Sequence, residues 1–238
     1  NDLRIMVWAA KLLGKAEDAQ TYAAQLEKTR DAYIKAFVKK DGTMKDDYQG
    51  AYVMALKMVI PKGALWSKVY AQLVYRLKKD GMQTGFFATE HILPLLADNG
   101  DEKLAFDLLL DERCGGWLYQ VNAGATTTWE RWDAIRTDGT VNESKSNGDN
   151  MVSFNHYSFG SVGKFYYQYI LGIQPMAPGF SKIGIQPRID SRIGAFSGSY
   201  KDICVAFDGQ ALHISTPADT QIILPDGSIH TVGAGSYD

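Results

Sequence analysis

Cysteine is almost missing from this chain. The two present among 238 residues, Cys114 and Cys204, lie in stretches of different character, so a disulfide framework is not expected and the redox compartment stays open. Neither sign of charge dominates: 25 Lys and Arg against 27 Asp and Glu leave a net charge of -2. That balance offers no basic field to a phosphate backbone, and no run of Lys or Arg forms a patch, so nucleic acid is not an expected partner. No stretch approaches the ~20 uninterrupted apolar residues a membrane span needs, which removes the bilayer as well. HExxH, CxxC and a Gly-rich phosphate loop are all lacking, and His91, His213 and His230 have no neighbour at metal-ligand spacing. Neither a metal nor another cofactor is therefore expected. Asn1 to Arg4 is not a cationic leader, so the chain carries no address of its own. Leu3 to Gly14 reads as a helix already in progress, and the chain is expected to be the C-terminal piece of a longer protein.

What is present is an ordinary globular composition, 45% hydrophobic, 22% charged and 12% aromatic, able to bury a substantial core. From Leu3 to about Leu110 apolar residues recur at helical spacing, as in Tyr22, Leu26, Tyr33 and Phe37, then Leu65, Val69, Leu73 and Leu77. Breaks at Gly14, Asp41-Gly42, Pro61-Lys62-Gly63, Asp80-Gly81 and Asn99-Gly100 predict helices near 3–13, 17–39, 49–60, 64–79, 89–98 and 101–112, with another near 156–171. Pro94 is expected in the first turn of its helix, where a missing amide donor is best tolerated. Around Gly172 the pattern changes. Gln174 to Gly179 reads as a linker, and five short strand-like runs follow: 183–187, 203–207, 212–215, 221–224 and 228–232. Asp208-Gly209 and Pro225-Asp226-Gly227 read as hairpin turns. Two domains are expected, 1–173 and 174–238.

Chemistry concentrates in Gly124-Ala125-Thr126-Thr127-Thr128-Trp129-Glu130-Arg131-Trp132-Asp133, which sets a carboxylate between two indoles. Hydrolysis of a glycosidic bond needs a carboxylate beside the anomeric carbon, and flat aromatic faces suit the apolar faces of a sugar ring. The plainer reading makes Trp129 and Trp132 core aromatics, with Glu130 and Arg131 a solvated pair. A second segment, Ser153-Phe154-Asn155-His156-Tyr157-Ser158-Phe159-Gly160-Ser161-Val162-Gly163, runs into the aromatic stretch Phe165 to Tyr169. The polar loop from Asn142 to Asn150 between the two segments is a solvated excursion, placed by the order of the chain at the rim of a pocket.

Together the two segments resemble the GATTxWERW and SFNHYxFGSVG signatures of the bacterial α-L-rhamnosidases, glycoside hydrolase family 78. Thr84-Gly85-Phe86 with Thr89, Leu93-Pro94-Leu95-Leu96 and Gly116-Trp117-Leu118-Tyr119 match as well. Ala88, where a glycine is expected, and Lys164, where an acid is commoner, depart from the pattern. The resemblance implies the second half of an (α/α)6 toroid followed by a small antiparallel β-sandwich. It also implies an inverting hydrolase acting on terminal α-L-rhamnosyl bonds of a glycan or glycoside. Glu130 would be the general base. The general acid would lie in the N-terminal remainder of the same enzyme, so the isolated chain would be inactive. Trp129 or Trp132 would stack on the sugar, and His156 with Asn155 would line the pocket, Asn155 also capping the helix that follows. Thr127, Thr128 or His156 are expected to donate to Glu130, and Arg131 is expected to face away from it. A toroidal glycosidase for another sugar, a non-catalytic sugar-binding protein, and a helical interaction module whose aromatics are merely core remain alternatives at this point.

Overall fold

A computed structural model describes residues 1–143 and 152–238; the expectation for the loop at 144–150 lies outside them. The helices expected from periodicity are α1 (Asp2–Leu12), α2 (Ala16–Phe37), α3 (Gln49–Met54, continued by a π turn over Ala55–Val59), α4 (Ala64–Asp80), α5 (Phe86–Ala97) and α6 (Glu102–Leu109). α4 shows how the pattern works. Trp66, Val69, Leu73 and Leu77 are its buried residues, three or four apart on one stripe, and Gly81 ends it at φ 68°. α5 is apolar almost all round, with eight of its residues buried, and forms the centre of the helical core. It starts earlier than the sequence suggests, at Phe86, so Pro94 lies inside it rather than in its first turn. The lost amide donor costs one turn of the ladder, while the Pro94 carbonyl still accepts from Asp98 at 2.9 Å.

The sequence reading missed α7 (Trp117–Asn122), which begins on Gly116. A Cβ at Gly116 would stand 2.2 Å from the Asp111 carbonyl oxygen, so only glycine allows the chain to turn into the helix there. The helix expected near 156–171 is broken into a 3-10 turn (Tyr157–Ser161), a single α turn, α8 (Val162–Phe165), and a π turn (Tyr166–Ile170).

Eight strands follow in two four-stranded sheets. One runs β1 (Ile173–Pro175), β2 (Ile183–Ile185), β6 (Thr220–Ile223), β7 (Ile229–Val232); the other runs β3 (Phe196–Tyr200), β4 (Ile203–Phe207), β5 (Leu212–Thr216), β8 (Gly235–Tyr237). β1, β3 and β8 were not anticipated, and the expected linker at Gln174 is β1, leading straight into the first sheet. Both hairpin turns are where expected, joining β4 to β5 and β6 to β7. Pairing is antiparallel throughout except between β2 and β6, which run parallel. Inward residues alternate as period two requires: Ile183 and Ile185, Ile203 and Val205, with Ile173, Ile214 and Ile222, bury a core between the sheets. Leu171 belongs to this core, whereas Ile170 belongs to the helical one. Gly172 stands between them at φ 73°, with Gln186 packed against its α-carbon. Cys114 and Cys204 are both free and exposed.

Candidate active site

The two segments singled out in the sequence lie side by side. Thr127 to Glu130 runs antiparallel to Ser153 to His156: the Glu130 N–H donates to the Ser153 carbonyl at 2.9 Å and the His156 N–H to the Thr128 carbonyl at 2.8 Å. Threonine hydroxyls finish the seam, Thr128 Oγ1 donating to the His156 carbonyl at 2.6 Å and Thr127 Oγ1 to that of Phe154. Neither threonine therefore serves the carboxylate, contrary to the sequence expectation. The donor is a backbone amide: Ser153 N–H reaches Glu130 Oε2 at 2.9 Å. Among the described residues no group donates to Oε1. Arg131 turns away, as expected, and forks onto Asp133 through Nε at 3.1 Å and a terminal nitrogen at 3.3 Å. Asp133 also accepts from Asn142 Nδ2 at 2.6 Å, and Asn142 Oδ1 accepts from Arg136 at 2.7 Å. This network pins the turn that follows Glu130.

Glu130 opens onto a cavity of about 490 Å³ that it lines with Arg131, Trp132, Asp133, Cys114 and Phe86. The two indoles have opposite fates. Trp132 faces this cavity, its ring stacked on Phe159 at 3.8 Å and edge-on to Trp117 at 5.1 Å, its Nε1 donating to the Thr84 carbonyl at 2.7 Å. Trp129 is 2% exposed, its ring edge-on to Tyr119 and Phe154. Nothing in the cavity reaches it, so Trp129 is a core residue, and of the two indoles Trp132 is the one that lines the cavity. The Trp129 N–H donates to Gln120 Oε1 at 3.2 Å, tying the segment to α7.

His156 lines a second, larger cavity of about 1100 Å³, together with Phe87, Tyr157, His91 and Phe86, the last being common to both. Its imidazole is stacked between Phe86 at 4.4 Å and Tyr157 at 5.2 Å. Nδ1 accepts from the Ser158 N–H at 3.3 Å, so His156, not Asn155, caps the 3-10 turn. Asn155 is exposed and lines neither cavity. Its side chain is not brought to the site. Because Nδ1 accepts, the neutral ring carries its proton on Nε2 and presents a donor there.

Three titratable groups at these walls are moved by their surroundings. Burial pushes the Cys114 thiol up, leaving it a thiol. Burial likewise pulls His91 below the ordinary histidine value, while the Lys164 ammonium 2.6 Å from Glu90 holds that carboxyl down. Phe86, Phe159, Asp133 and Cys114 were not chosen from sequence. Phe86, Phe159 and Asp133 stand inside the quoted motifs, which was the available signal; nothing marked Cys114. No group of three or more His, Cys, Asp or Glu side chains among the described residues is placed to hold a metal ion.

Comparison with known proteins fits this geometry. The family model described as the bacterial alpha-L-rhamnosidase 6 hairpin glycosidase domain matches residues 1–170. An alpha-L-rhamnosidase of Streptomyces avermitilis is 39% identical over 178 residues, 74% of this chain and 17% of that protein. One from Alteromonas sp. is 32% identical over 191 residues, 79% of this chain and 20% of that protein. Among solved structures, the Streptomyces avermitilis alpha-L-rhamnosidase complexed with L-rhamnose superposes with a TM-score of 0.86 at 30% identity, covering 98% of this chain and 25% of that one. The native Aspergillus terreus alpha-L-rhamnosidase gives 0.84 at 26% identity, covering 99% and 28%. The chain thus spans at most about a fifth of the length of these curated relatives. Its helices are the second half of an (α/α)6 toroid and its strands the β-domain that follows, and the chain belongs to the bacterial α-L-rhamnosidase family.

Proposed function

We propose that the enzyme containing this chain hydrolyses terminal α-L-rhamnosyl bonds of glycans or glycosides with inversion, and that Glu130 is its general base. The carrying observation is the Glu130 carboxylate on a cavity wall, one oxygen held by the Ser153 amide and the other facing no donor among the described residues. In that arrangement one oxygen fixes the group and the other takes a proton from water. The water oxygen bonds to the anomeric carbon from one ring face as Glu130 accepts its proton. On the opposite face a carboxylic acid protonates the departing oxygen and the glycosidic bond breaks. That acid belongs to the upstream part of the enzyme, so residues 1–238 alone do not turn over substrate. Trp132 offers an apolar wall to the deoxy-sugar, and His156 Nε2 donates to a sugar hydroxyl or to the water. The L-rhamnose bound by the Streptomyces avermitilis relative supports this choice of sugar. We divide the chain near 173/174 into a helical catalytic part and a β-domain; the change of core falls slightly earlier, between Ile170 and Leu171, with Ile173 already packed among the sheets.

The test is Glu130→Gln in the full-length enzyme, assayed by rhamnose release from a chromogenic α-L-rhamnoside. General-base catalysis is worth ~10²–10⁴-fold, so a residual rate above about a tenth of wild type contradicts the assignment. Proton NMR of the first product checks the stereochemistry: β-L-rhamnose is expected, and the α anomer as first product overturns inversion. A panel of other aryl glycosides separates this sugar from its neighbours.

A further inference from the structure

Phe86 touches both halves of the site, although nothing in the chemistry above uses it. It is the first residue of α5 and lines both cavities. On one side its ring stacks on the His156 imidazole, centroids 4.4 Å apart and planes 16° apart. On the other it meets the edge of Phe159 at 5.6 Å, and Phe159 stacks on Trp132 at 3.8 Å. Trp132 in turn donates to the carbonyl of Thr84, two residues before Phe86. A closed loop of contacts therefore joins Phe86 to the wall that carries Glu130.

His156 has few freedoms left for anything else to fix. Its backbone is tied on both sides to Thr128, its Nδ1 is occupied by the Ser158 amide, and the outer face of its ring is covered by Tyr157. Tyr157 is 87% exposed and has no other aromatic ring against it among the described residues, whereas Phe86, 39% exposed, is backed edge-on by Phe159. The rigid face against the imidazole is Phe86. We propose that Phe86 is a positioning residue: it sets the plane of the His156 ring, and with it the direction in which Nε2 donates at the wall of the cavity that His156 lines. This rests on the reading of His156 as a donor to the bound sugar or its water. A small error in such a direction is costly, since misplacement by about 1 Å can lose ~10²-fold in rate.

The experiment is a double-mutant cycle in the full-length enzyme, with kcat and KM measured on a chromogenic α-L-rhamnoside and folding checked by thermal melting. Phe86→Ala is expected to lower kcat/KM by about ten- to a hundredfold, mostly in kcat. Phe86→Leu, which keeps apolar bulk but loses the flat face, should behave like Phe86→Ala and covers the case in which the alanine variant fails to fold. Phe86→Tyr should restore most of the rate. In a His156→Ala background the same Phe86 substitutions should cost less than about threefold, because contacting groups that act through one another are not additive. Equal losses in both backgrounds, a Phe86→Leu variant as fast as wild type, or a His156→Ala variant with undiminished kcat/KM would each overturn the proposal. A wild-type enzyme that releases no rhamnose overturns the proposed function, and the positioning role falls with it; an active wild type with an additive cycle overturns Phe86 alone.

Discussion

The helical and sheet regions satisfy their hydrophobic residues in opposite ways. In the sheet region seven inward isoleucines and valines, with Leu171, fill one core between two sheets, and the strand face left bare is mainly small and polar. The helical region buries a larger core around α5, yet leaves Trp8 64%, Phe87 84% and Tyr157 87% exposed. Ala10 and Ala19 are the only buried residues of α1 and α2. A sandwich closes on itself with the strands at hand, whereas half a ring leaves apolar surface at its open side. The lesson concerns where function is placed. Every proposed site residue belongs to the region with the open side: Glu130, Trp132 and His156 are held in loops knitted to one another instead of to a sheet, and Phe86 opens α5.

The strongest test of that contrast is to unpick the knit. Trp129→Ala removes the buried indole behind Glu130 and should cost about 3–5 kcal/mol, read as a lower melting temperature; an unchanged melt would show the loop is held without it. Next comes the junction. Gly172→Ala forces a left-handed φ of 73° on a residue whose Cβ would stand 2.1 Å from the Gln186 carbonyl carbon. The expected cost is about 2–4 kcal/mol from strain and overlap, and a neutral substitution would mean the two regions are not clamped there.

Smaller effects come from the charges that bridge the regions. Arg188 pairs with Glu102 at 2.6 Å and Arg192 with Asp107 at 2.7 Å, both guanidiniums reaching from the sheet side to α6. These partly exposed pairs are screened, so Arg188→Ala and Arg192→Ala should each cost about 0.2–1 kcal/mol, shrinking in ~1 M salt. The smallest are two histidines of opposite sign. His91, in the helical region, is lowered from its ordinary 6.5 by burial. Its contribution is complete above that value and is lost as pH falls below it, because the unfolded chain then binds the extra proton more readily. His213, on the sheet surface, is raised from 6.5 by Asp238 and then Asp208. Its contribution is complete below that value and disappears as pH rises through the raised one. Melting curves of His91→Gln and His213→Gln across this range should therefore differ from wild type with opposite pH slopes; slopes of the same sign would undo the assignment.

Much of this was legible in the residues. Period 3.6 placed six helices, period two placed five strands, and two motifs named Glu130 and His156. The misses have physical causes. α7 is six residues long and follows two glycines, Pro175 disguises β1 as a linker, and Phe196-Ser197-Gly198-Ser199-Tyr200 is too poor in branched residues to announce β3. Trp129 and Trp132 were indistinguishable on the page because both stand beside a charge in an irregular segment, where no period says which side faces inward. Asn155 was given the cap from residue type, but His156 holds the nitrogen that reaches Ser158.

Sequence alone determined the helix-then-strand order, the family, and the presence of a carboxylate among indoles, because these depend on local periodicity and on residues close together in the chain. Only the tertiary structure decided that Ser153 rather than a threonine holds Glu130, that Trp132 rather than Trp129 faces the cavity, and that Phe86 lines both the cavity of Glu130 and that of His156. Those outcomes hang on contacts between segments more than twenty residues apart, and which side of an irregular strand turns inward is set by the partner it packs against.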